Sequence, residues 1–510
     1  MTNSTYDEIP YSSLAYADTH PNKLATLAAL FGLTPPIVKT CRLLELGCGD
    51  GTNLIAIAQT LPQAQCWGID ASIKQIQAGQ TRANTLALSN VNLNRLNLSE
   101  VDQSLGRFDY IIAHGVYSWI APALQDTLLK ICQRHLAPHG IIYISYNVYP
   151  GWHMEKVVRD LMKYHTQQLP TVPFEINMQQ AKGIVQFIAH LRQQGNTAFD
   201  RFLQEKMQLF KVADDNYLYH DFLEAENHPV YFHQFIQQAT QYQLAYVTDI
   251  EFRHYLLLTF PNQVVEALEE LFQGDFFIRE QYLDFFYNRT LRRSLLCHQP
   301  TVIQRELQWE TVTQCYIAAT SQLVNSKPNS SILESLQTSA GETIAVQQPL
   351  TQIALGYLVI HYPHYPHFEE LFQQACQQLP QAELNLSTLR EQLAQELLQL
   401  YCLETIELHI EPPAFVTTLT SYPRASPLAR HMLSQGQQPV INLRCEFIHL
   451  DEIATVLLPH LNGQKDQSAL LIILKNLIKQ RKVKLSSKAE VKLVLERTLS
   501  QLCQNALLVA

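Results

Sequence analysis

The sequence predicts an α/β protein built on a doubly wound sheet. Three observations carry that prediction. Leu43-Leu44-Glu45-Leu46 lies in a nearly continuous apolar run between Arg42 and Asp50, as a strand covered on both faces does. It enters the turn Gly47-Cys48-Gly49-Asp50-Gly51, whose glycines let the chain bend tightly and let a ligand come close. Asp70 then ends a second strand about 20 residues on, where nucleotide-binding sheets place a ribose-binding acid.

The 510 residues allow about two to four domains, and 47% apolar residues provide ample core. The formal net charge of −9 argues against nucleic acid as the main partner. The first eight residues have neither the basic start nor the apolar core of a signal peptide. No run reaches the ~18 apolar residues of a membrane span. The ten cysteines are scattered without a C-x-x-C pair, so they read as reduced thiols of a cytoplasmic protein.

Taken in order, residues 1–40 are an arm and a first helix. Pro21 suits that helix's first turn, Leu24, Leu27, Ala28, Leu30 and Phe31 form its apolar side, and Gly32 closes it. Tyr6, Tyr11 and Tyr16 recur every five residues, which fits neither a helix face nor a strand face. The arm reads as a lid or as a plain packing element. After the glycine turn a helix begins at Thr52, its free N–H groups pointing back at the turn. The second strand is Gln65–Asp70, and Ser72-Ile73-Lys74-Gln75 reads as a capping box. Val91–Arg95 is the third strand, with Asn97-Leu98 beyond it, and Phe108–Ala113 the fourth, running into residues 114–119. A helix at 125–136 is broken by Pro138-His139-Gly140, and 140–146 is the fifth strand, running into 147–152. Ligands of such sheets bind beyond the carboxyl ends of the strands, so all these strand ends should face one crevice.

Residues 154–168 read as a helix, followed by Ile184, Val185, Phe187, Ile188 and Leu191, then Phe202, Leu203, Met207 and Leu209, at helical spacing. Another helix spans 233–241, with strands at 244–250 and 290–297. From about 300 the pattern changes to helices at 348–360, 368–379, 389–400 and 453–461, with short strands at 321–324 and 342–346. Small helix–strand modules of winged-helix type read this way, and the proline-bounded loop 422–427 divides the region.

The glycine spacing selects the ligand. Dinucleotide folds use G-x-G-x-x-G and bring a pyrophosphate to the helix N-terminus. Here the pattern is Glu-x-Gly-x-Gly-x-Gly, and a carboxylate beside the turn suits S-adenosylmethionine, which carries an ammonium and a sulfonium. On that reading the cofactor is held by Glu45, Gly47, Cys48, Gly49, Gly51, Asp70, Asn97, Leu98 and His114. Asp70 would accept the ribose hydroxyls; its other reading is a helix-capping aspartate.

Longer motifs point the same way: Tyr6-Asp7-Glu8-Ile9-Pro10-Tyr11, Thr19-His20-Pro21, Gly68-Ile69-Asp70-Ala71-Ser72, His114-Gly115-Val116-Tyr117-Ser118-Trp119, Ser145-Tyr146-Asn147-Val148-Tyr149-Pro150-Gly151-Trp152, His220-Asp221-Phe222-Leu223 with Asn227, and Asn442-Leu443-Arg444 before Leu457-Leu458-Pro459. Through these the chain resembles the bacterial class I S-adenosylmethionine methyltransferases that carry a methyltransferase regulatory domain. The best-known members are rickettsial protein-lysine methyltransferases acting on an outer-membrane protein. Thr52 stands where the group often has glycine, and Asp221 where glutamate is common. The resemblance implies a Rossmann-like class I methyltransferase sheet of seven strands with a helical insertion and winged-helix-like C-terminal modules. The expected divisions are a cofactor domain with an N-terminal lid (1–165), a helical insertion (166–215), a regulatory segment with two strands that could complete the sheet (216–298) and a winged-helix-like region (299–510).

The expected reaction is in-line attack on a sulfonium methyl, most simply by a protein lysine amine. Tyr117, Trp119, Tyr146 and Trp152 would line the way in, since aromatic walls suit an apolar stem and an ammonium. His114 is the candidate proton acceptor, with Tyr146 and Trp119 beside it; the bland reading makes the aromatics core and His114 a loop-bonding residue. No Asn-Pro-Pro-Tyr follows the fourth strand, which weighs against a DNA methyltransferase. A small-molecule methyltransferase and a non-catalytic regulator remain as alternatives. For the latter, Lys475, Lys479, Arg481, Lys482, Lys484, Lys488 and Lys492 form a basic stretch, which reads more simply as a solvated helix face. His361, His364 and His367 match no zinc spacing and read as a turn into a helix, so no metal is expected. A protein substrate is the expected partner, and a homodimer is compatible with the sequence.

Overall fold

The computed structural model describes residues 5–11, 14–170, 172–251, 257, 260–325, 332–337, 341, 343–379, 385–483 and 490–509. Seven strands form one sheet: β1 (Arg42–Leu46), β2 (Gln65–Asp70), β3 (Val91–Arg95), β4 (Phe108–Ala113), β5 (Leu136–Asn147), β6 (Leu244–Asp249) and β7 (Leu291–His298). Their order is β3-β2-β1-β4-β5-β7-β6. The first five run parallel, and β7 lies antiparallel between β5 and β6. The strand order reverses between β1 and β4, which opens a crevice above the carboxyl end of β1.

Alternation along the strands supplies both faces of the sheet. Leu43, Tyr110, Ile112, Ile141 and Tyr143 turn to one side, where helices Pro21–Leu30 and Thr52–Thr60 bring Leu24, Leu27, Leu54 and Ile55. Leu44, Leu46, Ile111, Ile142 and Ile144 turn to the other, against Leu128 and Leu129 of helix Pro122–His135 and Phe232 and Phe235 of helix Phe232–Gln241. Each fully buried leucine or isoleucine contributes about 1.5–3 kcal/mol by leaving water.

Beyond β5, helices Trp152–Gln167, Phe174–Leu191, Ala198–Val212 and Asp215–Phe222 pack around Val158, Met162, Met178, Val185, Leu203 and Leu218. They rise over the carboxyl end of the sheet and wall one side of the crevice. Helices Asn262–Phe272 and Phe276–Tyr287, not foreseen in the sequence, connect β6 to β7. A buried ionic cluster ties this connection down: Arg292 pairs with Asp249, Glu280 and Asp284.

In the C-terminal part, Tyr316–Ala319 pairs antiparallel with Ile406–His409, and short pairs join Arg424–Ala425 to Leu508–Val509 and Val440–Ile441 to Phe447–Ile448. Helices Pro427–Ser434, Glu452–Leu457, Gln467–Lys479 and Val491–Gln504 pack between them. Buried Asn442 organises its turn, accepting from the N–H groups of Arg444 and Glu446 and donating to the Asn505 carbonyl. Lys475, Lys479, Arg481, Lys482 and Lys492 are exposed, whereas Lys484 and Lys488 lie outside the described residues. No helix among the described residues is long and apolar enough to cross a membrane.

Three local expectations are corrected. The fifth strand begins at Leu136, because a register shift opposite residues 108–110 absorbs Pro138, His139 and Gly140 within the strand. Residues 321–325 are a helix, begun by Thr320, whose hydroxyl takes the Leu323 N–H. Ser72 caps helix Ile73–Thr85 through the Gln75 N–H, but the return bond of a capping box is absent: the Ser72 N–H goes to Asp70, and its hydroxyl donates to Asp7.

Candidate active site

The end of β1 sets Glu45 into the crevice, 4% exposed. Asn53, in the first turn of helix Thr52–Thr60, donates to Glu45 Oε1 at 2.9 Å. Glu45 Oε2 is buried and has no hydrogen-bond partner among the described residues. Burial pushes this carboxyl up to about 8, against the Asn53 bond that favours the charged form. The turn that follows needs glycine at 47: its φ is +70°, and a Cβ there would lie 2.5 Å from Val116 Cγ2. Gly47 and Cys48 donate to the Ile69 carbonyl, which locks the turn against β2.

At the end of β2, Asp70 takes the Gly49 N–H at 2.9 Å and the Ser72 N–H at 2.8 Å, so it fastens the glycine turn and holds the residue that caps the next helix. Burial raises its pKa while these backbone bonds oppose the rise. It remains in the wall of a cavity of about 250 Å³ shared with Glu45, Gly47, Cys48, Gly49, Leu98, His114 and Trp119. Asn97 does not line this cavity; its side chain donates to Glu100 and caps the turn Leu98–Glu100. Gly51 also stands back from it, opening helix Thr52–Thr60 at φ +71° with Leu93 packed against its α-carbon.

A second cavity, of about 430 Å³, opens off the first. The two share Tyr11, Tyr16, His114, Trp119 and Asp221. Tyr146, Trp152, Glu155 and Lys206 lie only on the second. Trp119 and Trp152 meet edge to face there, with ring centroids 6.0 Å apart. Tyr146 reaches the cavity wall from the core: its ring stacks on Phe235 and its hydroxyl bonds Ser294 at 2.9 Å. Tyr117 does not line either cavity. The turn Tyr117–Trp119 aims its ring inward, where it packs on Tyr146 and Phe235 and bonds Gln238.

His114 sits at the junction. Its Nδ1 is 2.8 Å from the Tyr143 hydroxyl, and its ring lies 3.8 Å, centroid to centroid, from Tyr16. Burial lowers its pKa to about 4, with Arg293 acting in the same direction. The imidazole is therefore neutral at pH 7.

The N-terminal arm crosses the mouth of both cavities. Asp7 holds Ser72 and Lys74 on one side, and the Ile9 and Pro10 carbonyls take His220 and Asn216 on the other. Between them Tyr16 is fixed by its N–H to Asn53. In the sequence Tyr11 and Tyr16 showed an odd five-residue spacing, and Tyr11 closed one of the motifs, without either being marked as a site residue. Asn53 carried no local signal of a site; Asp221 stood out in the motif 220–223, but no role for its carboxylate could be read there, because only the tertiary fold brings its helix to the crevice.

Three family models match the chain: "Methyltransferase domain" over residues 37–206, "Predicted methyltransferase regulatory domain" over 214–298, and "PKMT, C-terminal winged helix domain" over 421–509. Uncharacterized protein RP028 of Rickettsia prowazekii is 39% identical over 235 residues, covering 46% of this chain and 93% of that protein. Uncharacterized protein RP789 of the same organism is 38% identical over 305 residues, covering 60% of this chain; the chain spans 54% of RP789's length. The solved structure of PKMT2 from Rickettsia typhi in complex with AdoHcy superposes with a TM-score of 0.84 at 27% identity, covering 98% of this chain and all of that one.

Proposed function

We propose that this chain, which belongs to the bacterial class I S-adenosylmethionine-dependent methyltransferases carrying a methyltransferase regulatory domain, methylates the side-chain amine of a protein lysine. Its cofactor is S-adenosylmethionine. The buried, partnerless Oε2 of Glu45 fits that cofactor, because it stands ready for an ammonium in a cavity lined by a glycine turn. When bound, S-adenosylmethionine supplies an electrophilic methyl group.

The protein's residues do the rest by position. Glu45 holds the ammonium, and Asp70, with lone pairs left beyond its two N–H bonds, takes ribose hydroxyls. Gly47 and Gly49 let the backbone approach closely, Cys48 forms part of the floor beside them, and Leu98 offers an apolar wall. Gly51 turns the chain into the helix, and Asn97 holds the loop that carries Leu98. His114 is neutral and weakly basic as placed, so it orients the acceptor by hydrogen bonding and with Trp119 narrows the junction. Fixing two reactants in line contributes several kcal/mol of rate enhancement.

The single observation that favours a lysine is the second cavity. It meets the first at His114, and Trp119, Trp152 and Tyr146 give it walls suited to a long apolar stem ending in an ammonium. The insertion (166–215) and the regulatory segment (216–298) would present the acceptor from above. The full-length likeness to PKMT2 supports a protein acceptor. The test is transfer of labelled methyl from S-adenosylmethionine into a cell extract, before and after small molecules are removed. Label retained in protein as methyllysine is expected; label confined to the small-molecule fraction would overturn the reading.

A further inference from the structure

We propose that the Asp221 carboxylate receives the acceptor's ammonium group and takes its proton before methyl transfer. The inference rests on the lysine reading above and assigns that site its base.

Position comes first. Helix Asp215–Phe222 sets Asp221 at the seam, where it lines both the cavity of the glycine turn and the second cavity. An amine entering past Trp119 and Trp152 meets this carboxylate beside His114. The other acids of the two cavities are committed. Glu45 faces the glycine turn, Asp70 is bonded to Gly49 and Ser72, and Glu155 is neutralised by Lys206 at 2.5 Å. Asp221 has no direct ion-pair partner among the described residues and accepts only from the Tyr217 hydroxyl.

Its surroundings make it a better base than an ordinary aspartate. Burial pushes its pKa up to about 6, and Glu155 on helix Trp152–Gln167 acts in the same direction. Tyr217 on its own helix, Lys206 on helix Ala198–Val212 and Arg159 on helix Trp152–Gln167 oppose the rise. From the arm, Tyr11 and Tyr16 face it as neutral phenols. It is thus ionised at pH 7.5 and still basic. His114, held near 4, is less so. Burial disfavours the charged pair, so a carboxylate and an ammonium brought together here gain by becoming a carboxylic acid and an amine.

The step balances. One N–H bond of the ammonium breaks, its electron pair stays on nitrogen, and the proton forms an O–H bond on Asp221. The amine lone pair then forms the N–C bond to the methyl while the S–C pair leaves with sulfur. The product is a methylammonium, and Asp221 returns its proton to water through the second cavity.

The test compares wild type with Asp221→Asn and Asp221→Glu. Each is given labelled S-adenosylmethionine and a desalted protein extract, methyllysine is quantified after acid hydrolysis, and AdoHcy affinity is measured by calorimetry. Asp221→Asn is expected to bind AdoHcy as wild type does but to turn over about 100-fold more slowly or worse, the usual effect of losing a general base. Its rate should climb between pH 7 and 9.5 as free amine becomes available, and the wild-type acid limb near pH 6 should vanish. Asp221→Glu should recover part of the rate. Unchanged methyllysine formation by Asp221→Asn would overturn the inference while leaving the lysine reading intact. Equal loss of AdoHcy binding in both variants would also overturn it, as a structural role. Label found on residues other than lysine would instead overturn the lysine reading.

Discussion

Asn53 Nδ2 donates to Glu45 Oε1 at 2.9 Å and leaves Oε2 of the same carboxylate buried without a partner among the described residues. One oxygen is thereby fixed in place and the other kept for a ligand. Replacing Glu45 by Gln keeps the shape and removes the charge. AdoHcy should then bind roughly 10–100-fold more weakly, the worth of about 1.5–3 kcal/mol for a hydrogen bond to a charged group. Calorimetry on folded variant protein checks this.

The same carboxyl makes cofactor affinity depend on pH. Free Glu45 titrates near 8, so at pH 7 it carries a proton that it must lose to pair with an ammonium. Binding should release a proton and strengthen as pH rises toward 8. Well above that, the ligand's own α-amino group loses its charge and affinity should fall. AdoHcy titrations from pH 6 to 9 should therefore strengthen up to about pH 8, and Glu45→Gln should lose this acid limb. A flat profile in wild type would contradict the ion pair.

Gly47→Ala meets two obstacles: a φ of +70° and the Val116 methyl 2.5 Å from the new carbon. Together they should cost about 1–3 kcal/mol of stability and weaken AdoHcy binding. Adding Val116→Ala should restore part of the loss by removing the collision but not the strain. Denaturant unfolding of the single and double variants measures both.

Tyr16 covers His114 and is tied to Asn53, which in turn holds Glu45. Tyr16→Ala should loosen the covering arm, with AdoHcy leaving about tenfold faster and associating at a nearly unchanged rate. An unaltered dissociation rate in stopped-flow would mean that the arm is only packing.

Arg292 is fully buried among Asp249, Glu280 and Asp284, and Asp249 continues through Ser294 to the Tyr146 hydroxyl. Arg292→Met would leave three buried carboxylates without their central cation, with Arg289 and Arg279 remaining beside them. A loss of about 3–5 kcal/mol is expected by chemical denaturation.

The sheet and its first site residues were legible because their causes are local. The apolar run of β1, the glycines and the strand-ending Asp70 each announce a backbone geometry within a few residues. Where a long-range contact decides, the signal failed. Pro138-His139-Gly140 looks like a break, yet pairing with β4 accommodates it inside β5. Tyr117 belongs to an aromatic-rich motif, but the turn it sits in directs its ring to Phe235 in the core. Asn97 is diverted by a local contact instead: Glu100, three residues on, draws its amide away. The arm reaches the site through bonds such as His220 to the Ile9 carbonyl, across 211 residues, which no periodicity reveals.

The most direct measurement is to incubate the purified protein with S-adenosylmethionine and a desalted protein extract, beside its Asp70→Ala variant, and map new methyl groups by mass spectrometry. The expected result is methyl on lysine Nζ with wild type and none with the variant. Tight AdoHcy binding by wild type without any methylated lysine would contradict the account.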